Sequence, residues 1–222
     1  MPALPSLTTL RRSCARDGDL QANPRVCVVT GASGFLARHL INHLAASGDY
    51  DEIRAIDIVE PVYADAKVRP IVANICDAEA VLKFVRGADA VFHVASLIEL
   101  RDHKYRCHRL FDVNVTGAIN VVNACIRTGA TRLIYTASAA TVMDGRTPKD
   151  GRWVEENFAD VRIEDLPCYY AKTKKMAEDA VLAANGRGRL HTCSLRPFVP
   201  FGPGDKVRQA VTRCTLRRNL DN

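Results

Sequence analysis

The short β-branched run Val26–Thr30 passes directly into Gly31-Ala32-Ser33-Gly34. It then enters a segment with apolar residues at Leu36, Leu40, Ile41 and Leu44. Those spacings are helical, and Gly48 stands where such a helix would stop. A strand that turns on two glycines straight into a helix constrains the fold strongly, because a helical crossover returns the next strand parallel to the first. The rest of the chain keeps that rhythm. Further strands are expected at 53–59, 68–75, 90–95, 132–137 and 191–196, and helices at 35–46, 77–86, 111–128 and 169–184. Six strands separated by helices predict an α/β fold with a doubly wound parallel sheet, covered on both faces.

Composition agrees with that architecture. The 222 residues are 47% hydrophobic and 25% charged, enough for one sizeable buried core plus a fragment. No apolar run approaches the ~18 residues of a membrane span. The net charge of +6 collects at the ends, in Arg11, Arg12, Arg16 and Arg25 and in Lys206, Arg208, Arg213, Arg217 and Arg218. No aromatic residue interleaves with the terminal arginines, so they read as solvated ends rather than a nucleic-acid surface, and no nucleic-acid partner is expected. The eight cysteines are scattered, with no Cys-x-x-Cys pair. They read as reduced thiols in an intracellular, cytoplasmic protein. The alternatives are peripheral attachment to the endoplasmic reticulum, or a mitochondrial location if the leader is a transit segment. No metal site is expected: His93 reads as a core residue, and His103 and His108 flank Cys107 without a fourth ligand.

The glycine turn has a chemistry of its own. Gly31 permits a tight turn, and Gly34 lets backbone N–H groups approach a pyrophosphate at the helix N-terminus. Gly31, Ser33, Gly34, Phe35 and Leu36 are the residues expected against a dinucleotide there. Ala37 is small enough for close helix–strand packing, making the spacing Gly-x-x-Gly-x-x-Ala. Asp57 lies twenty residues beyond Ala37, at the end of the second strand. A carboxylate there accepts from an adenosine ribose and repels a 2′-phosphate, which favours NAD over NADP. Asp77 reads either as a contact to the adenine edge or as a helix N-cap. The strand order expected for such a sheet is the Rossmann order, 3-2-1-4-5-6.

Tyr170 and Lys174 lie four residues apart on an expected helix and so share a face. A nearby ammonium and a positively charged nicotinamide would both lower a tyrosine pKa, letting it take a proton from an alcohol as hydride leaves. Lys172 and Lys175 fall on other faces, and Tyr169 has no lysine four residues on. Ser138 follows the fifth strand, at the edge where parallel sheets bind ligands. It reads as a hydroxyl for a substrate oxygen or as a serine turn, with Thr136 as a substitute one step deeper in the strand.

Together these pieces resemble the extended short-chain dehydrogenase/reductase superfamily over most of residues 26–205. The matching stretches are Thr30-Gly31-Ala32-Ser33-Gly34-Phe35-Leu36, Val91-Phe92-His93-Val94-Ala95, Asn114-Val115-Thr116-Gly117, the Ser138 strand end, the Tyr170/Lys174 pair, and Leu195-Arg196-Pro197 running on to Phe201-Gly202-Pro203-Gly204-Asp205. The segments Lys174 to Gly186 and Thr192 to Pro197 resemble the 3β-hydroxysteroid dehydrogenase/isomerase family, which includes sterol-4α-carboxylate 3-dehydrogenases. The resemblance implies that Tyr170 is the general base and that Lys174 is its partner and holds the nicotinamide ribose. It implies that Ser138 positions the substrate oxygen and that Asn114 supports the proton relay. Ala95 and Ser96 would line the cofactor after strand four, and Pro197 would bring the following backbone to the nicotinamide.

The expected organisation is a flexible basic leader at 1–24, an NAD-binding Rossmann domain at 25–200, and the start of an incomplete substrate-binding region at 201–222. The expected activity is NAD-dependent oxidation of a 3β-hydroxyl on a steroid or sterol-like small molecule, with the isomerase step less supported. A homodimer is the candidate assembly. A sugar-nucleotide epimerase or dehydratase, another carbonyl reductase, and a truncated dinucleotide-binding module without turnover are the alternatives.

Overall fold

The computed structural model describes residues 24–99, 107–143 and 161–205. The expected leader up to residue 23, His103, Cys14, Cys214 and residues 206–222 lie outside the described residues. In chain order the elements begin with β1 (Val26–Thr30), α1 (Phe35–Ser47), β2 (Glu52–Asp57), β3 (Val68–Val72), α2 (Ala78–Val85) and β4 (Ala90–His93). They continue with α3 (Cys107–Phe111), a π-helical stretch (Asp112–Thr116), α4 (Gly117–Thr128), β5 (Arg132–Thr136), α5 (Tyr169–Leu182) and β6 (His191–Leu195). The six strands form one sheet in the order β3-β2-β1-β4-β5-β6, and every pairing is parallel. This is the expected Rossmann order. The chain reverses direction across the sheet between β1 and β4, which opens a crevice at the C-terminal strand ends.

The two faces have separate cores. Val28, Ile56, Val91, Leu133 and Tyr135 point to one side and pack with Val81 and Phe84 of α2, Val121 of α4, and Ala177 and Val181 of α5. Val29, Ile53, Ala55 and Ala90 point to the other side, against Ile41 and Leu44 of α1. β1 lies in the middle and is buried at every position. β3 is an edge strand and carries Pro70, which a central strand would not tolerate.

Element boundaries differ from expectation, and several do so for a local reason. β4 stops at His93 because Thr30 Oγ1 accepts from Val94 N and Ala95 N, both at 3.2 Å, drawing those amides out of the ladder. β2 stops at Asp57 because its carboxylate accepts from Val59 N at 3.2 Å and bends the chain. β3 stops at Val72, beyond which Asn74 Oδ1 accepts from Cys76 N at 2.9 Å in a side-chain turn. The long helix expected at 111–128 begins earlier, at Cys107, and is interrupted by the π-helical stretch that contains Asn114. Such interruptions are frequent at functional sites, because the extra residue re-aims a side chain. Gly117, just after it, lies so close to Ile75 that a Cβ would come within 2.6 Å of Ile75 Cδ1. No helix among the described residues is long and apolar enough to cross a membrane. Cys27, Cys76, Cys125, Cys168 and Cys193 form no disulfide among the described residues.

Candidate active site

The glycine turn forms a tight cradle against the strand beside it. Gly31 has φ +74°, and a Cβ there would sit 2.7 Å from Ala95 Cα and 2.8 Å from Ala95 N. Only glycine combines that backbone conformation with that approach. Ser33 N donates to Asp57 Oδ2 at 2.9 Å, and Ser33 Oγ donates to the Val59 carbonyl at 3.0 Å, so the turn is laced to the end of β2. Tyr63 OH closes it from outside by donating to the Ala32 carbonyl at 2.5 Å. Burial pushes the Tyr63 phenol up to about 12, so it keeps the proton it donates. Gly34 begins α1 without a side-chain cap, and no acidic residue lies in the first turn. Phe35 stacks edge-on against His39 at 5.0 Å between centroids, and the loop after β6 crosses here, with His39 Nε2 3.0 Å from the Pro203 carbonyl.

These residues fit a dinucleotide. The helix N-terminus offers N–H groups and dipole to phosphates, and each Asp57 oxygen, occupied by one backbone donor, retains acceptor capacity for a ribose hydroxyl. Ala95 faces the turn through its backbone. Asp77 caps α2, its Oδ1 accepting from Glu79 N at 3.0 Å and Ala80 N at 3.1 Å. Of its two readings, this geometry displays the N-cap.

Tyr170 opens α5, 8% exposed. Burial raises its pKa above the ordinary phenol value, and hydrogen bonds with Ser138 and then Ser96 act against that rise. Ser138 Oγ also makes a serine turn, accepting from Ala140 N at 3.2 Å. The three hydroxyls thus meet at the C-terminal edge of the sheet, from α5, from the end of β5 and from the loop after β4. Pro197, beyond β6, supplies the carbonyl that accepts from Ala139 N at 3.1 Å, pinning the segment that carries Ser138.

Lys174 behaves differently from expectation. It is 1% exposed, its Nζ donates to the Thr136 carbonyl at 2.7 Å, and it lies 4.3 Å from the centroid of the Tyr135 ring. Burial pulls its pKa down to about 7. The opposition to the rise at Tyr170 comes from the Ser138 and Ser96 hydroxyls rather than from this ammonium. The reason is reach: a long side chain one turn below Tyr170 finds a carbonyl at the end of β5 and an aromatic face beside it.

Asn114, 2% exposed, uses both ends of its amide. Its Nδ2 donates to the Leu97 carbonyl at 3.0 Å and to Thr173 Oγ1 at 3.1 Å, and its Oδ1 accepts from Leu97 N at 2.8 Å and Ser96 Oγ at 3.3 Å. It brackets the loop after β4 to α5, and it reaches Tyr170 through Ser96.

His93 is buried in the core as expected, but its cross-strand neighbours were not marked by the sequence. Thr30, His93, Tyr135 and Ser194 occupy one register row across β1, β4, β5 and β6. Thr30 Oγ1 lies 2.7 Å from His93 Nδ1 while accepting from two amides, so its single proton goes to the imidazole. His93 is therefore neutral, in line with a pKa driven down to about 3 by burial and by Lys174. Glu178 lies fully buried on α5 beside this row. Its signal was available: Tyr170, Lys174 and Glu178 recur every fourth residue on one helix face.

A parallel sheet of this order, a glycine turn closed by an acid on β2, and a tyrosine–serine pair at the C-terminal edge define the extended short-chain dehydrogenase/reductase class. Within that class the chain belongs to the 3-beta hydroxysteroid dehydrogenase/isomerase family, whose model matches residues 28–221. It is 38% identical over 187 residues to a 3-beta-hydroxysteroid dehydrogenase of Mycolicibacterium neoaurum, covering 81% of this chain and 49% of that protein. It is 35% identical over 199 residues to 3beta-hydroxysteroid-dehydrogenase/decarboxylase isoform 2 of Arabidopsis thaliana, covering 82% of this chain and 34% of that protein. Among solved structures it is similar to MoeE5 in complex with UDP-glucose and NAD, with a TM-score of 0.69 and 26% identity over 84% of this chain and 58% of that one. The chain thus spans a third to a half of the length of these two curated relatives.

Proposed function

We propose that this chain carries the NAD-binding and proton-transferring part of a dehydrogenase that oxidises a 3β-hydroxyl on a steroid or sterol. The observation that carries the reading is the Tyr170 hydroxyl, held by Ser138 and Ser96 at the same sheet edge as the Gly31–Asp57 cradle. Bound NAD⁺ supplies a hydride acceptor and a positive charge. Asp57 takes the adenosine ribose hydroxyls, the N-terminus of α1 takes the pyrophosphate, and Ala95, Ser96 and the backbone after Pro197 line the rest. Asp77 keeps one oxygen on its cap and is free to meet the adenine edge with the other.

Ser138 receives the substrate hydroxyl, and Tyr170 accepts its proton. Burial makes the free Tyr170 hold its own proton strongly, so oxidation accelerates as pH rises and the reverse reduction is favoured at lower pH. An apolar substrate is supported by Ile98, Phe198, Val199 and Phe201, which stand 59–72% exposed on the loops after β4 and β6. A sugar nucleotide, the ligand of the similar MoeE5 structure, is poorly matched by those side chains.

The test is NADH formation with a 3β-hydroxysteroid, with a UDP-sugar as the competing substrate. Turnover of the steroid that disappears in Tyr170→Phe supports the proposal. Turnover of the UDP-sugar alone replaces it with the epimerase-like reading, and NAD binding without any turnover replaces it with a binding module.

A further inference from the structure

We propose that Glu178 is a positioning residue of the site: its buried carboxylate sets the charge carried by Lys174 and anchors the end of β6 that leads to Pro197. This rests on the reading above, in which Lys174 serves the site as an ammonium.

Tyr170, Lys174 and Glu178 follow one another at intervals of four along α5, at 8%, 1% and 0% exposure. A fully buried carboxylate costs a great deal of free energy unless it is paired. Glu178 spends one oxygen on β6: Oε1 accepts from Ser194 Oγ at 2.5 Å and from Arg196 Nε at 2.8 Å. Its other oxygen, Oε2, is buried without a hydrogen-bond partner among the described residues. Arg196 thus pairs with one oxygen of the carboxylate, and the other faces no hydrogen-bond donor among the described residues, one helical turn from the buried Lys174 amine.

The surroundings of Lys174 leave that charge little competition. From β5 it faces the Tyr135 ring and the Thr136 carbonyl. Tyr135 is a phenol kept protonated by burial. From β4 comes His93, a neutral imidazole whose Nδ1 is taken by Thr30 of β1. On its own helix stand Tyr170 and Glu178, and Arg196, just past the end of β6, lies beyond Glu178. Among the titratable groups here Glu178 is the one whose charge favours the ammonium, acting with the Thr136 carbonyl and the Tyr135 ring against the burial that pulls Lys174 down.

The same carboxylate holds the backbone that frames Ser138. Arg196 precedes Pro197, whose carbonyl accepts from Ala139 N at 3.1 Å, and the Leu195 carbonyl accepts from Ala137 N at 2.8 Å. Ser138 lies between those two bonds. Glu178 therefore couples the charge on Lys174 to the place of the serine that meets Tyr170.

The decisive variant is Glu178→Gln, which keeps the length and the carbonyl acceptor but removes the charge. Its readout is the NMR titration of the Lys174 side chain in cofactor-free protein carrying 13C-labelled lysine, the resonance being assigned by its loss in Lys174→Arg. The midpoint is expected to fall by about one pH unit, about tenfold in the acid dissociation constant. Arg196→Gln removes the opposing positive charge, and there the midpoint is expected to rise. An unchanged midpoint in folded Glu178→Gln overturns the proposal. If that variant does not fold, Arg196→Gln decides alone, and a midpoint that stays or falls overturns it. The titration needs neither substrate nor NAD. A wild type without steroid turnover but with the expected shifts defeats the proposed function alone, and an active wild type without those shifts defeats the role of Glu178 alone.

Discussion

Lys174 donates from Nζ to the backbone carbonyl of Thr136 at 2.7 Å, tying α5 to the C-terminal end of β5. The bond crosses 38 residues of sequence and brings the helix that carries Tyr170 to the strand end that carries Ser138. It brings two local motifs, each common by chance, to one edge of the sheet.

Tyr170→Phe should remove turnover and leave NAD binding intact. A positioned acid–base group contributes roughly 10²–10⁴-fold, and a loss of kcat in that range with an NAD Kd changed less than threefold is expected. Stopped-flow measurement of NADH formation, with NAD titrated by protein fluorescence, separates the two. A parallel loss of NAD binding would show that the phenol serves the cofactor and not the proton.

Asn114→Ala should act first on stability. It removes four hydrogen bonds at a buried position and leaves the Leu97 N–H without its acceptor. Leaving buried polar groups unpaired costs roughly 2–3 kcal/mol here. Urea unfolding should show a lower midpoint at an unchanged m-value. A midpoint equal to that of the wild type would mean that water replaces the amide without loss.

Gly31→Ala should fail at the cradle. The added Cβ meets backbone atoms of Ala95 at 2.7 and 2.8 Å, and φ is +74°, so no change of rotamer relieves the clash. The backbone conformation alone costs about 1–3 kcal/mol in a residue with a side chain. NAD affinity measured by calorimetry should fall by at least about tenfold, equivalent to roughly 1.4 kcal/mol. Undiminished affinity would place the dinucleotide elsewhere.

Asp57→Asn should relax the choice of cofactor. The carboxylate at the end of β2 repels a 2′-phosphate, and the amide removes that repulsion while keeping one carbonyl acceptor for Ser33 N or Val59 N. The ratio of NADP to NAD affinity should rise by about tenfold, again roughly 1.4 kcal/mol. A ratio that does not move argues that Asp57 only ties the turn to the strand.

Acid should destabilise the protein through His93. Its folded pKa is lowered to about 3 from an ordinary 6.5, so the unfolded chain binds the extra proton between those values. Stability from this group is therefore complete above about pH 6.5 and is lost as pH falls toward 3. Between pH 7.5 and 5 the loss is roughly 2 kcal/mol. Thermal unfolding of the wild type against His93→Phe measures it: the variant should be flatter over that window, and equal slopes would show that His93 does not titrate there.

Much of the fold was legible in the chain. All six strands, and the helices after β1, β3 and β5, stand where their periodicity placed them, because a buried parallel sheet demands continuous apolar runs and its crossovers demand helical spacing. The boundaries that moved were decided by single side chains. Thr30 ends β4 from a neighbouring strand, and Asn114 sits in a π-helical turn that no apolar pattern marks. Tyr170, Ser138, Gly31 and Asp57 could be singled out as candidates because each lies at an element end. The row of Thr30, His93, Tyr135 and Ser194 was not, since register between strands is invisible in a linear pattern.

The sequence by itself determined the strand–helix rhythm, the glycine turn and the shared face of Tyr170 and Lys174, because all three are set by neighbours within a few residues. Tertiary structure decided which groups act on those residues. It turned Lys174 toward Thr136 and Tyr135, gave Tyr170 the hydroxyls of Ser138 and Ser96, and buried Glu178 against β6. The physical reason is that charge and proton affinity depend on burial and on contacts across strands, and those exist only once the sheet has formed.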